Sequence, residues 1–121
     1  MSVTRRTLDP DTVAELRRMS ADSPGFLPQL VGIFKANAPA RVAAIRDAIA
    51  SRDGAALEHT AHTLRSNCSM LGAMRMAEYC RQLEALAAEA DFDGAAALWP
   101  SVEEEFERVR AEVDVLCPPL A

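Results

Sequence analysis

Leu57, Ala61, Leu64, Cys68 and Leu71 recur at intervals of four, three, four and three residues. That spacing keeps one face of an α-helix against a core, whereas in a strand it would scatter the same residues over both faces. Stripes of the same period lie on either side. Leu27, Leu30, Val31, Phe34, Ala38, Val42, Ile45 and Ile49 form one, and Ala73, Met76, Ala77, Cys80, Leu83 and Ala87 another. Ala95, Leu98, Trp99, Val102, Phe106, Val109, Val113 and Leu116 form the last, and the shorter set Val13, Leu16 and Met19 precedes them all. The chain is therefore predicted to be all-α, with long helices over approximately 24–51, 53–71, 73–89 and 92–116 and a short N-terminal helix over approximately 10–19. Short connections favour antiparallel neighbours, so the expected architecture is an up-down four-helix bundle with the short helix packed over one end.

Local signals place the boundaries. Asp9 followed by Pro10 reads as an N-cap with proline in the first turn, and Ser23-Pro24 reads as a second start of the same kind. Asp53 can cap the helix that follows the Arg52-Asp53-Gly54 turn, Gly72 suits a left-handed C-terminal cap, and Asp91 or Asp93 restarts the chain. Pro39 and Pro100 fall inside long stripes and predict kinks, with a break at Pro39 as the alternative, while Pro118-Pro119 should stop the last helix.

Composition narrows the function. At 121 residues the chain reads as a single domain over 1–121, too short for a nucleotide-binding domain beside a substrate domain. A net charge of −5, with Arg5, Arg6, Arg17 and Arg18 scattered among acids, argues against nucleic acid as a partner. No apolar run approaches the roughly 18 residues of a membrane span, and no apolar stretch follows the N-terminal arginines as in a secretory signal, so a cytoplasmic protein is expected. Cys68, Cys80 and Cys117 form no Cys-x-x-Cys pair, and the first two sit on apolar helical positions, where they read as reduced core thiols.

Both histidines of the chain, His59 and His62, lie in HTAHTLRSNCSMLGA, residues 59–73. A turn of about 100° per residue puts Glu58, His59, His62, Arg65, Ser66 and Ser69 opposite the apolar stripe, facing solvent. Taken alone, a solvated helix face is the plainer reading. Yet His62 has Arg65 one turn later and small serines around it. An imidazole in water is largely neutral near pH 7, so a ring nitrogen can attack phosphorus while a nearby cation offsets charge on the phosphoryl oxygens. Met70 and Met74, with Ala55, could flank the histidine, although core packing is expected for at least one methionine.

The segment AHTLRSNCSMLGA, residues 61–73, resembles the AHxLKGSSxxLGA signature of histidine-containing phosphotransfer (HPt) domains of two-component phosphorelays. LDPDTVAELRRM and FLPQLVGIFKANAPARVAAIRDAIASRDGAALEHTAHTL upstream have the family's look, and EYCRQLEALA downstream is similar to its Cys-x-x-Leu-Glu helix. The resemblance implies that His62 is the phosphoacceptor and that Arg65, in place of the family's lysine, stabilises phosphoryl charge. Ser66 stands at the usual glycine, where a small residue keeps the ring approachable, and Glu84 matches a position that orients the imidazole. His59 lies outside the signature and is assigned no role.

The implied protein is a phosphocarrier and not an enzyme with its own nucleotide site, since no glycine-rich phosphate loop is present. It would bind no cofactor itself, and Mg²⁺ is expected in the partner. Its partners would be response-regulator receiver domains or a hybrid histidine kinase, and a monomer suffices. Two other readings compete: an adaptor that docks receivers without carrying phosphate, and a metal-binding bundle using His59, His62 and a nearby carboxylate. The second has a poor ligand set, because histidines at i and i+3 on an outward face lack the inward Glu-x-x-His pairs of di-iron bundles.

Overall fold

A computed structural model describes residues 7–117. Its elements are α1 (Pro10–Asp22), α2 (Phe26–Ser51), α3 (Gly54–Met70), α4 (Met74–Ala88) and α5 (Phe92–Leu116), with no strand among the described residues. The predicted stop at Pro118-Pro119 lies outside the described residues.

Three aspartates start helices by accepting backbone N–H groups that have no intrahelical partner. Asp9 Oδ2 accepts from Thr12 N at 2.9 Å, with Pro10 in the first turn, and Asp53 Oδ1 accepts from Ala56 N at 3.1 Å. Asp91, the first of the two candidates, accepts from Gly94 N at 2.8 Å. Ser23 behaves differently from expectation. α1 runs three residues past the predicted end, to Asp22, and Ser23 caps its C-terminus by donating its N–H to Met19 O at 3.0 Å. Pro24 explains the reversal: a residue before proline is pushed from helical toward extended backbone, and Ser23 takes φ −133°, ψ 88°. Ser23-Pro24 is thus a stop, and α2 begins two residues late behind Gly25, with no side-chain cap. α2 and α5 continue without a break across Pro39 and Pro100, both exposed, so the break at Pro39 is excluded.

Two to three residues separate each long helix from the next. α3 ends in a Schellman turn: Ala73 N–H donates to Cys68 O at 2.8 Å and Gly72 N–H to Ser69 O at 3.1 Å, with Gly72 at φ +80°. α2 and α4 close in the same way on non-glycine residues, Arg52 (φ 56°) and Ala90 (φ 54°).

α3 lies between α2 and α4, and α4 and α2 both pack on α5. Leu57, Ala61, Leu64, Cys68 and Leu71, the stripe with the strictest spacing, are completely buried. They share one continuous core with Val31, Phe34 and Ile45 of α2, Met76 and Leu83 of α4, and Val102, Phe106 and Val109 of α5. α1 packs on α2 and is pinned at its start. Thr7 N and Leu8 N donate to the two carboxylate oxygens of Glu112 at 2.6 and 2.9 Å, and Asp9 N donates to Gly72 O at 2.8 Å.

Candidate functional site

With the apolar stripe of α3 buried, helical geometry turns His59, His62, Ser66 and Ser69 outward, and all four are exposed. The His62 side chain keeps 60% of its surface open to solvent. Its fixed contacts come from one ring nitrogen. Glu84 of α4 places Oε1 3.0 Å from Nδ1, and Arg65 of α3 places one terminal guanidinium nitrogen 3.0 Å from the same atom. Nδ1 cannot bond to both at once. A hydrogen bond to the carboxylate requires a proton on Nδ1, whereas one from the guanidinium requires a lone pair there. Arg65 is already engaged with Glu84, with Nε 2.7 Å from Oε2 and a terminal nitrogen 3.5 Å from Oε1. A guanidinium held by the carboxylate leaves Nδ1–H to donate to Oε1, and Nε2, which has no partner among the described residues, carries the free lone pair.

The Arg65–Glu84 contact has an unusual quality. Nε and Oε2 are both shielded from solvent and close, yet not aligned as a hydrogen bond. Coulomb attraction therefore dominates the pairing. Glu84 is the more enclosed partner, with 18% of its side chain exposed against 36% for Arg65.

Ser66 is exposed, and its hydroxyl turns back along α3 to donate to the His62 carbonyl at 3.4 Å. Such back-bonding keeps the extra atoms of serine on the helix and away from the imidazole. The four predicted residues are thus placed at one exposed spot on the α3–α4 surface. His59 has no hydrogen bond to any of them; its carbonyl accepts from Thr63 Oγ1 at 3.1 Å.

Other expectations change. Met70 and Met74 are 54% and 49% exposed, so neither packs in the core; the Schellman turn rotates both outward, and Met76 fills the buried position. Cys68 and Cys80 are free and buried, as expected, and Cys117 is half-buried. A hydrogen bond with Cys80, followed by burial, pushes the Cys68 thiol up, which keeps it protonated and unreactive. Glu105, not singled out from the sequence, is almost fully buried and paired with Arg108 at 3.1 Å. Its signal was available: it stands three residues after Val102 and four before Val109, on the apolar stripe of α5. Among the described residues no three His, Cys, Asp or Glu side chains cluster as metal ligands, and no helix is long and apolar enough to cross a membrane. A groove of about 590 Å³ at the α1–α2 corner is lined by residues that include Met19, Pro24, Phe26 and Ile33 and contains none of the site residues.

The sequence pattern of the Hpt domain matches residues 29–114. Comparison with curated proteins gives no match. Among solved structures, the crystal structure of histidine-containing phosphotransfer protein B (HptB) from Pseudomonas aeruginosa PAO1 is similar, with a TM-score of 0.81 and 31% sequence identity over 92% of this chain and 94% of that one. An exposed histidine steadied by a carboxylate from the adjacent helix, on a chain that follows the Hpt pattern from α2 into α5, makes this protein a member of the Hpt domain family.

Proposed function

We propose that His62 is the residue through which this chain performs the phosphorelay role of an Hpt protein, accepting a phosphoryl group from the phospho-aspartate of one receiver domain and passing it to the aspartate of another. The observation that carries the reading is the 60% exposed imidazole with Nδ1 held on Glu84. Nε2 attacks phosphorus, the P–O bond to the donor aspartate breaks, and that carboxylate leaves with the electron pair. The proton on Nδ1 stays in place, so positive charge develops on the ring as the N–P bond forms, and the Glu84 carboxylate lies 3.0 Å away to offset it. In the onward step an aspartate oxygen of the second receiver attacks phosphorus and Nε2 leaves as neutral imidazole.

Arg65 holds Glu84 in the resting site and, as the cation nearest the ring, offsets charge on the equatorial phosphoryl oxygens. Ser66 supplies the small surface over which a receiver reaches the ring. The metal belongs to the partner: Mg²⁺ in the receiver's acidic pocket would supply the remaining charge compensation. This chain acts as a carrier that binds no cofactor and has no nucleotide site. The fold reading that accompanies this function is an antiparallel up-down bundle of α2 to α5 with α1 over one end, supported by the short connections and by the packing of α5 on α2. One monomeric domain, residing in the cytoplasm, suffices for the relay.

Incubation with a phosphorylated receiver should label the protein with phosphate that survives alkali and is lost in acid, as an N–P bond requires. His62→Gln should abolish labelling while leaving the helical circular dichroism intact, and His59→Gln should retain it. Labelling that persists in His62→Gln, or that depends on His59, would overturn the assignment.

A further inference from the structure

A second groove, of about 320 Å³, opens between α2 and α3 on the flank of α3 that carries His59. His59 is one turn before His62, an axial step of about 4.5 Å, so a partner large enough to cover the imidazole also reaches this groove. Ala40 and Ala44 line its α2 side and place no bulk in the opening. Two of the polar groups there are committed internally: Asn37 Nδ2 donates to Ile33 O at 2.8 Å and Thr63 Oγ1 to His59 O at 3.1 Å. Arg41 is not. It is half-buried in the groove wall, and among the described residues no carboxylate lies within ion-pair distance of it, in contrast to Arg46 on the same helix, which has Asp47.

Charge makes this placement consequential. The chain carries a net −5, and the partner required by the proposed function brings the carboxylates of its own phosphoacceptor pocket to the His62 surface. A chain of net negative charge and a pocket of carboxylates approach each other against repulsion unless a local patch of opposite sign guides them. At His62 itself the nearest cation, Arg65, is occupied by Glu84. Arg41, with no carboxylate partner among the described residues, is the cation on the adjoining groove.

We propose that the α2–α3 groove at Arg41 is a receiver-docking subsite, in which a carboxylate side chain on the receiver surface pairs with Arg41 and so selects which receivers exchange phosphate with His62. The inference rests on the phosphocarrier reading and adds to it the residue that discriminates among partners.

The test uses the full chain, loaded on His62 with a small phosphoramidate donor that needs no protein surface, and then mixed with a receiver domain that discharges the parent protein. Arg41→Glu should load as the parent does but discharge about tenfold more slowly at low salt, the gap closing as ionic strength rises toward about 0.5 M. Arg41→Lys should stay near the parent rate. Arg17→Glu, the same change of charge on α1 outside this groove, should remain within about twofold, since a change of net charge without a local partner is largely screened. Replacing the cognate receiver carboxylate by lysine should restore discharge of Arg41→Glu. Discharge of Arg41→Glu at the parent rate, or equal slowing by Arg17→Glu, overturns the docking subsite while leaving His62 as the carrier. If the parent neither loads on His62 nor discharges to any receiver, the phosphocarrier reading fails and the subsite falls with it.

Discussion

Glu84 touches both other members of the site, so its removal separates holding the ring from neutralising it. Glu84→Gln keeps a carbonyl able to accept from Nδ1–H but loses the charge that binds Arg65, whereas Glu84→Ala loses both. Loss of a hydrogen bond to a charged transition state costs about 1.5–3 kcal/mol, so Glu84→Ala should slow transfer to a receiver by at least about tenfold and Glu84→Gln by less. The discriminating measurement is the ¹⁵N spectrum of the His62 ring. In the parent, the tautomer protonated at Nδ1 should dominate, and in Glu84→Ala the population should move toward the usual Nε2–H form; an unchanged tautomer balance would show that Glu84 does not position the ring. Helical phase made the exposure of His62 legible, since exposure follows from a strict apolar stripe, but His59 shares that face and it was the resemblance to the HPt signature that separated the two. Helical phase also placed Arg65 beside His62. It could not show that Arg65 would be engaged by Glu84, because that contact depends on the rotation of α4 against α3, which is set by interlocking core side chains and not by spacing within either helix.

At the scale of the helices, chain reversals show where sequence signals were sufficient. Asp9, Asp53 and Asp91 cap as their positions predict because an aspartate before an apolar stripe has one inexpensive use, accepting the free N–H groups of the first turn. Ser23-Pro24 failed as a start because the restriction that proline imposes on its predecessor also ends a helix, and here α1 needed ending. The C-terminal turns carry a contrast that can be measured. Gly72 occupies the left-handed region at no steric cost, and a Cβ there would lie 2.8 Å from Thr12 Cβ. Ala90 adopts the same region at φ 54° and bears the penalty of its own Cβ. Ala90→Gly should therefore stabilise the fold by about 0.5–1 kcal/mol, and Gly72→Ala should destabilise it by about 2 kcal/mol or more, read as opposite shifts of the urea midpoint with unchanged m-value. A destabilised Ala90→Gly would mean that the flexibility added to the unfolded chain outweighs the relieved strain.

For the whole molecule, the site and the attachment of α1 are built from different interactions. Among the described residues the polar contacts of the His62 ring come from α3 and α4, and the Hpt pattern, residues 29–114, begins after α1. α1 is joined to the rest through the residues just before it: Glu112 of α5 accepts from Thr7 and Leu8, and Gly72 at the α3–α4 corner accepts from Asp9, so three successive N–H groups are held by two distant elements. Leu8 and Leu16 then bury their side chains in the common core. The apolar stripe of α1 was visible in the sequence, but the Glu112 clamp was not, because the partners lie more than 100 residues apart and one of them is main chain. Removing the clamp should loosen one element and spare the chemistry of the other two. Glu112→Ala leaves two part-buried N–H groups without acceptors, at a cost of about 1–3 kcal/mol. Because those two hydrogen bonds anchor α1 and not the α3–α4 pair, the cost should appear as sub-global opening: faster amide exchange across α1, at residues 10–22, with protection in α3 and α4 retained. Loading of His62 by a small phosphoryl donor should remain at the parent level. Uniform acceleration of exchange through all five helices would instead show that α1 is integral to the cooperative unit, and that the span matching the Hpt pattern does not hold its site together without it.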